Sequence, residues 1–214
     1  MAEEHTVDIS KARPRKPREP IAGPDKVGPP FPLRIRGPVI KGFGRGSKEL
    51  GIPTANIPIS GLAIDGNSEI AKGVYYGWAG LDFVCSNTPT DTLATSVPSS
   101  PVAQIHPAVL SIGNNPFYNN ERLSCEVHLL HGFKSDFYGA RMSLMVLGYI
   151  RPEYDYEGLD ALIEDIKTDV EVARRSLARE DYLNCAKQPW LVDFGENWHA
   201  DGGEGDDVGT GAAK

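Results

Sequence analysis

The sequence predicts a mainly β protein in which an antiparallel sheet or barrel is followed by one amphipathic helix. Between residues 31 and 150, short segments rich in β-branched and aromatic residues are separated by turns and loops. This order is typical of antiparallel sheets, because parallel strands need long crossover connections that usually contain a helix. Helical periodicity begins only after residue 153. A closed barrel would also leave no strand edge exposed.

Six segments have the character of strands. Residues 33–36 alternate apolar and charged side chains, as a half-buried strand does. The others lie at residues 54–57, 73–79, 108–112, 123–130 and 141–150. Residues 82–105 are polar and rich in turn formers, which predicts a long inserted hairpin loop.

The predicted helix follows the last strand. Asp155 is the expected N-cap, and the helix should place its apolar face on the barrel. The apolar residues at helical spacing are Leu159, Leu162, Ile163, Ile166, Val170 and Leu177.

The chain is predicted to contain one folded domain between two extensions. Residues 1–30 are basic and proline-rich with little to bury, so we expect a disordered tail before a barrel domain at 31–185. Residues 186–214 form a C-terminal extension, which should be disordered from about residue 201. Trp190 and Trp198 lie in the part of the extension that is expected to dock.

Composition excludes several classes of protein. The net charge of -7 argues against a general binder of nucleic acids or membrane surfaces. No apolar run is long enough to span a bilayer. The 3 cysteines are widely spaced, which argues against a disulfide framework and for a reducing compartment. A cytoplasmic location is expected, with a mitochondrial pool as an open alternative.

A glycine-rich stretch at residues 41–57 is the first candidate for a functional site. Gly42 opens an alternation of glycines that ends near Lys48, and backbone amides beside a lysine suit a phosphate group. The residue order fits neither the P-loop nor the dinucleotide fingerprint. A simple turn between two strands therefore remains an equal alternative.

Thr54 and Asn56 follow this stretch and form a candidate cation site. Residues two apart in an extended segment point to the same side, so both oxygens can face one hard cation. Two neutral ligands would hold magnesium well only when nucleotide phosphates supply the negative charge. Hydrogen bonds from both side chains to the backbone at a strand end are the alternative.

Glu126 is the candidate for acid–base chemistry. It is a lone carboxylate in an apolar strand, and it is either an ordinary salt-bridge partner or a base for a hydroxyl proton. The neighbouring Cys125, His128 and His131 resemble a zinc motif, but successive members of this set point to opposite faces of a strand. We therefore do not predict a zinc site.

Two aromatic segments flank the last strand. Residues 133–139 mix aromatic and charged residues and form either a mobile lid or an anchored turn. Residues 151–156 place an arginine and two tyrosines between barrel and helix. These side chains cap the core or provide a docking place for a planar ligand.

Together these motifs resemble riboflavin kinase of the eukaryotic, single-function type, over roughly residues 33–180. Several motifs in the right order carry the resemblance, whereas each alone is weak. They are GIPTAN at 51–56, GVYYGW at 73–78, SIG at 111–113 with Asn115-Pro116, Glu126 with His128, DFYG at 136–139 and GYIRPE at 148–153.

The resemblance implies a six-stranded antiparallel Greek-key barrel with a C-terminal helix. It implies transfer of the γ-phosphoryl group of ATP to the ribityl 5′-hydroxyl of riboflavin, which gives FMN and ADP. Gly42 and Lys48 would belong to the ATP phosphate loop. The other implied site residues are Thr54 and Asn56 at the magnesium ion, Glu126 as the catalytic base, Leu129, His131 and Tyr138 beside the nucleotide, and Arg151, Tyr154 and Tyr156 beside the flavin.

The resemblance also sets expectations about cofactors and partners. Mg²⁺ is the expected metal, with Zn²⁺ or Mn²⁺ as alternatives, and riboflavin and ATP are the expected small-molecule partners of a monomer. FAD synthesis is not expected, because only the predicted tail precedes the barrel. A non-catalytic flavin- or nucleotide-binding barrel is the alternative function, although a pure binder needs no base beside a metal site. A barrel that binds single-stranded nucleic acid fits the acidic charge poorly.

Overall fold

The computed structural model describes residues 18–41, 52–59, 62–83, 103–114, 123–156, 158–195 and 198–200. Within these residues the chain forms a six-stranded sheet in which all paired strands are antiparallel. The strands are β1 (Leu33–Pro38), β2 (Ala55–Pro58), β3 (Gly73–Asp82), β4 (Gln104–Asn114), β5 (Leu123–Leu129) and β6 (Arg141–Arg151). Helices α1 (Leu159–Leu177) and α2 (Glu180–Cys185) and a 3₁₀ turn (Pro189–Leu191) follow.

The sheet curls into a nearly closed barrel with the strand order β1-β6-β3-β4-β5-β2. The two outer strands of this order approach each other where Ile40, just after β1, forms a bridge to Asn56 in β2. The Ile40 amide donates to the Asn56 carbonyl at 2.9 Å. Because β6 lies between β1 and β3, neighbours in the sequence are not always neighbours in the sheet. The predicted Greek-key barrel with a C-terminal helix is confirmed.

The barrel interior is an apolar core to which every strand contributes. Strand β5 shows how the alternation works, since Cys125 and Val127 are fully buried while Glu126 and His128 are half-buried on the outer face. Burial raises the pKa of the Cys125 thiol, and the nearby Glu126 carboxylate adds to this effect. Cys125 and His128 therefore face opposite sides of the sheet, as the sequence predicts.

A second apolar cluster forms where the helices cover the outer face of β3, β4 and β6. Tyr76 and Met145 on the barrel pack with Ala173, Leu177 and Tyr182 of the helices. The Tyr76 hydroxyl donates to the Ala22 carbonyl at 2.7 Å, so this large ring is buried without an unsatisfied polar group. The C-terminal half of α1 is thereby fixed to the barrel.

Helix α1 differs from its prediction in its start and in its buried face. Gly158, in an extended conformation, is the N-cap instead of Asp155, and no side chain caps the helix. Leu159 is 55% exposed, whereas Asp165 and Asp169 are buried. The buried stripe is partly acidic because two arginines, Arg151 at the end of β6 and the distant Arg18, meet these carboxylates, as described below. None of the helices in the described ranges is long and apolar enough to cross a membrane.

Residues 18–30, which the sequence assigns to a disordered tail, instead lie along α1 and α2. The Ala22 amide donates to Ser176 Oγ at 2.9 Å, and the Val27 amide donates to Asp181 Oδ2 at 2.8 Å. The folded unit therefore extends at least to Arg18. Composition alone misses this, because the partners of this segment lie about 150 residues further along the chain.

The C-terminal extension also packs against the barrel. Leu191 is fully buried, and its backbone approaches Gly80 so closely that a β-carbon at that position would collide with it. Arg36 lies over the Trp190 ring at 4.5 Å and donates to the Trp190 carbonyl at 2.9 Å. Most of the inserted loop at 82–105 and the predicted disordered ends, residues 1–17 and 201–214, lie outside the described residues.

Candidate active site

The site is organised by the register of three neighbouring strands. Asn56 in β2 lies directly opposite Glu126 in β5, and Glu126 lies directly opposite Ser111 in β4. Directly opposed residues of an antiparallel pair present their side chains on the same face, with Cβ atoms about 4.5–5.5 Å apart. The flanking Ile57 and Cys125 belong to the interior core, so this polar row lies on the outer face.

Asn56 is the residue of this row whose burial needs an explanation. Its side chain is buried, at 4% exposure, and its Oδ1 has no hydrogen-bond partner among the described residues. A buried acceptor without a partner costs about 1–3 kcal/mol, so such an atom requires an explanation. An amide oxygen opposite a carboxylate on the neighbouring strand is a suitable ligand for a hard cation. The residues present therefore fit a divalent metal, and the half-buried Thr54, two positions earlier, carries a second oxygen near this amide in the sequence.

Both ends of the glycine-rich stretch are fixed beside Asn56. Lys41 directly follows the Ile40 bridge to Asn56. At the other end, the Pro53 carbonyl lies 3.0 Å from Nδ1 of His128 on β5. Gly42 and Lys48 themselves lie outside the described residues. The chain thus leaves and re-enters the barrel at the Asn56–Glu126 pair.

The structure places the three residues predicted beside the nucleotide in environments of different burial. Leu129 is 5% exposed and belongs to the interior core, because it is an odd number of positions from the outward Glu126. Tyr138 is 40% exposed in the segment between β5 and β6. His131 is exposed just beyond β5 and stacks on His106 with ring centroids 4.4 Å apart.

His131 and His106 are part of an aromatic cluster that the sequence interpretation missed. Phe133 contacts both histidine rings, at 4.8 Å and 5.3 Å, and lies 4.7 Å from Phe137. Phe83 completes the cluster at the end of β3. Burial, together with the neighbouring His131, lowers the pKa of His106. The cluster presents several aromatic ring faces close together, and the density of rings at 131–137 was the sequence signal for it.

Arg151, predicted beside the flavin, is at the end of β6 and is 6% exposed. Its guanidinium forms hydrogen bonds to both carboxylate oxygens of Asp169, at 2.8–3.1 Å. Burial acts to lower the pKa of Arg151, but the hydrogen bonds that it donates to Asp169 and the charge of that carboxylate outweigh burial and raise this pKa. The guanidinium also lies 5.1 Å from the ring centre of Tyr154 and 6.0 Å from that of Tyr156.

Tyr156 is held by a second carboxylate of α1. Its hydroxyl donates to Asp165 Oδ2 at 2.7 Å. Burial, followed by this hydrogen bond, raises the pKa of Tyr156 to about 12. Arg151, Tyr154 and Tyr156 are thus brought together as one group, as predicted, and the carboxylates that orient them were not foreseen.

Ser111 connects this arginine–tyrosine group with Glu126. Its Oγ donates to Glu153 Oε1 at 3.2 Å, two residues after Arg151. Gly113 makes room for this carboxylate, because a β-carbon there would lie 2.6 Å from Glu153 Oε1. A continuous polar row therefore runs from Asn56 through Glu126 and Ser111 to Glu153.

Comparison with known proteins identifies the family to which this barrel belongs. The family model described as riboflavin kinase (flavokinase) matches residues 29–177, which is more than half of the chain. This range includes the whole polar row and both aromatic groups. The chain belongs to the riboflavin kinase family.

Individual relatives agree with this assignment. The riboflavin kinase of Emericella nidulans is 46% identical over 213 residues, covering 85% of this chain and all of the relative. That of Aspergillus fumigatus is 50% identical over 215 residues, with the same coverage. The crystal structure of riboflavin kinase from Trypanosoma brucei is 30% identical with a TM-score of 0.53, and the match covers 75% of this chain and 89% of that chain.

The chain is therefore an enzyme of the phosphotransferase class. Its activity is that of a riboflavin kinase, which phosphorylates riboflavin to FMN.

Proposed function

We propose that the Asn56–Glu126 pair is the centre of phosphoryl transfer, with Glu126 as the base. The observation that carries this proposal is the register. It places a buried amide oxygen, which has no hydrogen-bond partner in the described part of the chain, directly opposite a half-buried carboxylate. Phosphoryl transfer needs positioning and charge neutralisation more than covalent chemistry, so a metal ligand and a base side by side are what it requires.

In this proposal Glu126 acts on the acceptor hydroxyl. Its carboxylate accepts the proton of the ribityl 5′-hydroxyl as the oxygen bonds to the γ-phosphorus of ATP and the bond to the ADP oxygen breaks. The proton remains on Glu126 until solvent removes it. A carboxylate on the outer face of the barrel can exchange this proton, whereas a carboxylate in the interior core could not.

Asn56 and Thr54 would hold the divalent ion through their side-chain oxygens. When bound, the ion neutralises negative charge on the phosphate oxygens. Neutral oxygen ligands favour Mg²⁺ or Mn²⁺ over Zn²⁺, which is held mainly by nitrogen and sulfur. Gly42 and Lys48 would contact the phosphates, and the fixed ends of their loop beside Asn56 support this.

The two aromatic groups would bind the planar parts of the substrates. The cluster of His131, His106 and Phe133 offers flat apolar faces for the adenine ring of ATP. Tyr138 would border the nucleotide, and Leu129 would support this end of β5 from within the core. Arg151, Tyr154 and Tyr156 would border the isoalloxazine ring, and the polar row through Ser111 connects that end with Glu126.

Glu126→Gln tests the role of the base. The change preserves shape and removes proton acceptance, so we expect kcat for FMN formation to fall by roughly 10²- to 10⁴-fold. Riboflavin affinity should change little. Product is measured by chromatography with riboflavin, ATP and Mg²⁺ at saturation, and riboflavin affinity by calorimetry.

The exposed Glu69, in the segment between β2 and β3, provides the matched control, because Glu69→Gln makes the same chemical change at a residue outside the row. It should keep the parent kcat. A near-normal kcat for Glu126→Gln would refute the proposed base. If the enzyme binds riboflavin and ATP but the parent itself produces no FMN, the alternative of a non-catalytic binder is correct.

Thr54→Ala tests the metal ligands. We expect the Mg²⁺ concentration for half-maximal activity to rise by roughly tenfold, and ATP binding without Mg²⁺ to stay unchanged. Calorimetric titration of ATP with and without Mg²⁺ measures the difference. Equal Mg²⁺ dependence in parent and variant would contradict the assignment of Thr54.

A further inference from the structure

Asp165 and Asp169 lie one turn apart on the buried face of α1, and each contacts a residue of the proposed flavin border. Tyr156 donates to Asp165, and Arg151 donates to Asp169. Arg18 also contacts both carboxylates. A residue about 150 positions before α1 in the sequence therefore meets both carboxylates that hold the flavin border.

The contacts of Arg18 are short and well directed. Its Nη2 lies 2.5 Å from Asp165 Oδ1, and its Nη1 lies 2.8 Å from Asp169 Oδ1. Nη1 also donates to the Asp165 carbonyl at 2.9 Å. The side chains of Arg18 and Asp165 are each 12% exposed, so solvent screens these pairs much less than surface pairs.

Arg18 supplies one of the two guanidinium groups that face these carboxylates in the described part of the chain, and Arg151 supplies the other. Two like charges four residues apart on one helix repel each other, and Arg18 reduces this repulsion. Without Arg18, Asp165 and Asp169 would each lose a contact, and Arg151 and Tyr156 would adjust to the changed carboxylates.

We propose that Arg18 is a positioning residue for riboflavin, acting through Asp165 and Asp169 on Tyr156 and Arg151. The inference rests on the proposed function, because it takes these two side chains as the flavin border. Arg18 would set the orientation in which they meet the ring. Riboflavin binding, and not ATP binding, should therefore depend on the segment N-terminal to the barrel.

The rest of this segment is fixed independently of Arg18. Arg179 donates to the Ala22 carbonyl at 2.8 Å and to the Gly23 carbonyl at 3.0 Å, and Tyr182 donates to the Pro24 carbonyl at 2.9 Å. Substitution of Arg18 should therefore leave residues 22–28 on the helices. An effect on riboflavin can then be measured in a folded enzyme.

The test compares Arg18→Ala and Arg18→Lys with the parent in the full chain. For Arg18→Ala we expect KM for riboflavin to rise roughly fivefold to tenfold, while KM for ATP and kcat stay within about twofold. Arg18→Lys keeps one charge and should recover part of the riboflavin affinity. Calorimetric titration with riboflavin confirms that KM reflects binding, and a thermal melt confirms folding.

Two further variants separate the possible outcomes. Arg175→Ala removes an exposed arginine of α1 that pairs with Glu171 at 3.5 Å, and it should match the parent in both KM values. Tyr154→Ala tests the flavin border directly and should raise KM for riboflavin. If Tyr154→Ala raises this KM and Arg18→Ala does not, the inference is wrong and the proposed flavin border stands.

The remaining outcomes are equally decisive. If Tyr154→Ala leaves riboflavin binding unchanged, the proposed flavin border is wrong, and the inference falls with it. If Arg18→Ala raises both KM values together or only lowers the melting temperature, Arg18 has a structural role, and the inference is overturned.

Discussion

The two polar regions of this barrel differ in how completely their groups are satisfied. In the arginine–tyrosine group at the end of β6, Arg151 and Asp169 form a buried ion pair, and Tyr156 and Arg18 complete the hydrogen bonding. In the row across β2, β5 and β4, the buried Asn56 Oδ1 has no partner among the described residues. Within the described residues, the first region is complete, whereas the second has a buried acceptor without a partner.

This difference suggests that the arginine–tyrosine group supports the site, whereas the row with Asn56 takes part in the reaction. A satisfied buried pair keeps its geometry and mainly orients the side chains around it, whereas an unsatisfied acceptor gains most when a ligand binds. We therefore expect substitutions in the first region to affect folding and riboflavin orientation. Substitutions in the second region should affect turnover and metal dependence with little loss of stability.

Asp169→Ala should produce the largest loss of stability. Removing one partner leaves the Arg151 charge buried and unpaired, which costs about 3–5 kcal/mol in the free energy of unfolding. Urea denaturation measures this loss. Glu164→Ala, on the exposed face of the same helix, should stay within about 0.5 kcal/mol of the parent. A change of less than about 1 kcal/mol for Asp169→Ala would mean that the ion pair is not a structural element.

Asn56→Ala should show the opposite pattern. Because its Oδ1 has no hydrogen-bond partner to lose among the residues that the structure describes, we expect the free energy of unfolding to fall by less than about 1 kcal/mol. The Mg²⁺ concentration for half-maximal FMN formation should rise roughly 10- to 100-fold. A large loss of stability with an unchanged Mg²⁺ requirement would reverse the roles assigned to the two regions.

Protonation of Asp165 in acid should have a smaller effect on the free energy of unfolding. Burial acts to raise its pKa, but the hydrogen bond from Tyr156 and the contacts with Arg18 outweigh burial and lower the pKa. The stability gained from the ionised carboxylate is thus fully present above the unfolded value of about 3.9 and is lost as the pH falls through the folded pKa. In acid denaturation, Asp165→Asn should be less stable than the parent at pH 6, and this difference should shrink below about pH 4. A difference that is independent of pH would contradict this account.

Protonation of His106 should have the smallest effect on stability among these predictions. Its pKa is lowered in the folded state, so the unfolded chain takes up a proton first and stability falls as the pH drops below about 6.5. The ring is partly exposed, so we expect the melting temperature to change by at most about 2 °C from this group between pH 7.5 and 5.5. His106→Gln should remove that part of the slope. If the melting temperatures of parent and variant depend on pH in the same way, the lowered pKa of His106 is contradicted.

The fold could be predicted from the sequence because its signals are local. The six strands lie within a few residues of the predicted segments, since alternation and turn residues mark them directly. The inward position of Cys125 and the outward position of Glu126 also follow from alternation alone.

The site could be predicted only in part, because its geometry depends on long-range pairing. The opposition of Asn56 and Glu126 joins strands about seventy residues apart, and no local pattern gives their register. The ordered segment at residues 18–30 and the acidic stripe of α1 were also not predicted, because they too depend on contacts between distant parts of the sequence. From the sequence alone, Asp165 and Asp169 are expected to face solvent. Their burial is explained only by the contacts with Arg18 and Arg151.

The central claim is that Asn56 and Glu126 work as one site, and a double-mutant cycle on kcat tests it most directly. The apparent kcat values of Asn56→Ala, Glu126→Gln and the double variant are compared with that of the parent at saturating riboflavin and ATP and one fixed Mg²⁺ concentration, chosen so that Asn56→Ala alone is clearly slower than the parent. Groups that act together on one transition state give strongly non-additive effects. We predict that the double variant will be about as slow as Glu126→Gln alone. Effects that multiply would show that the two residues act independently and would contradict the account.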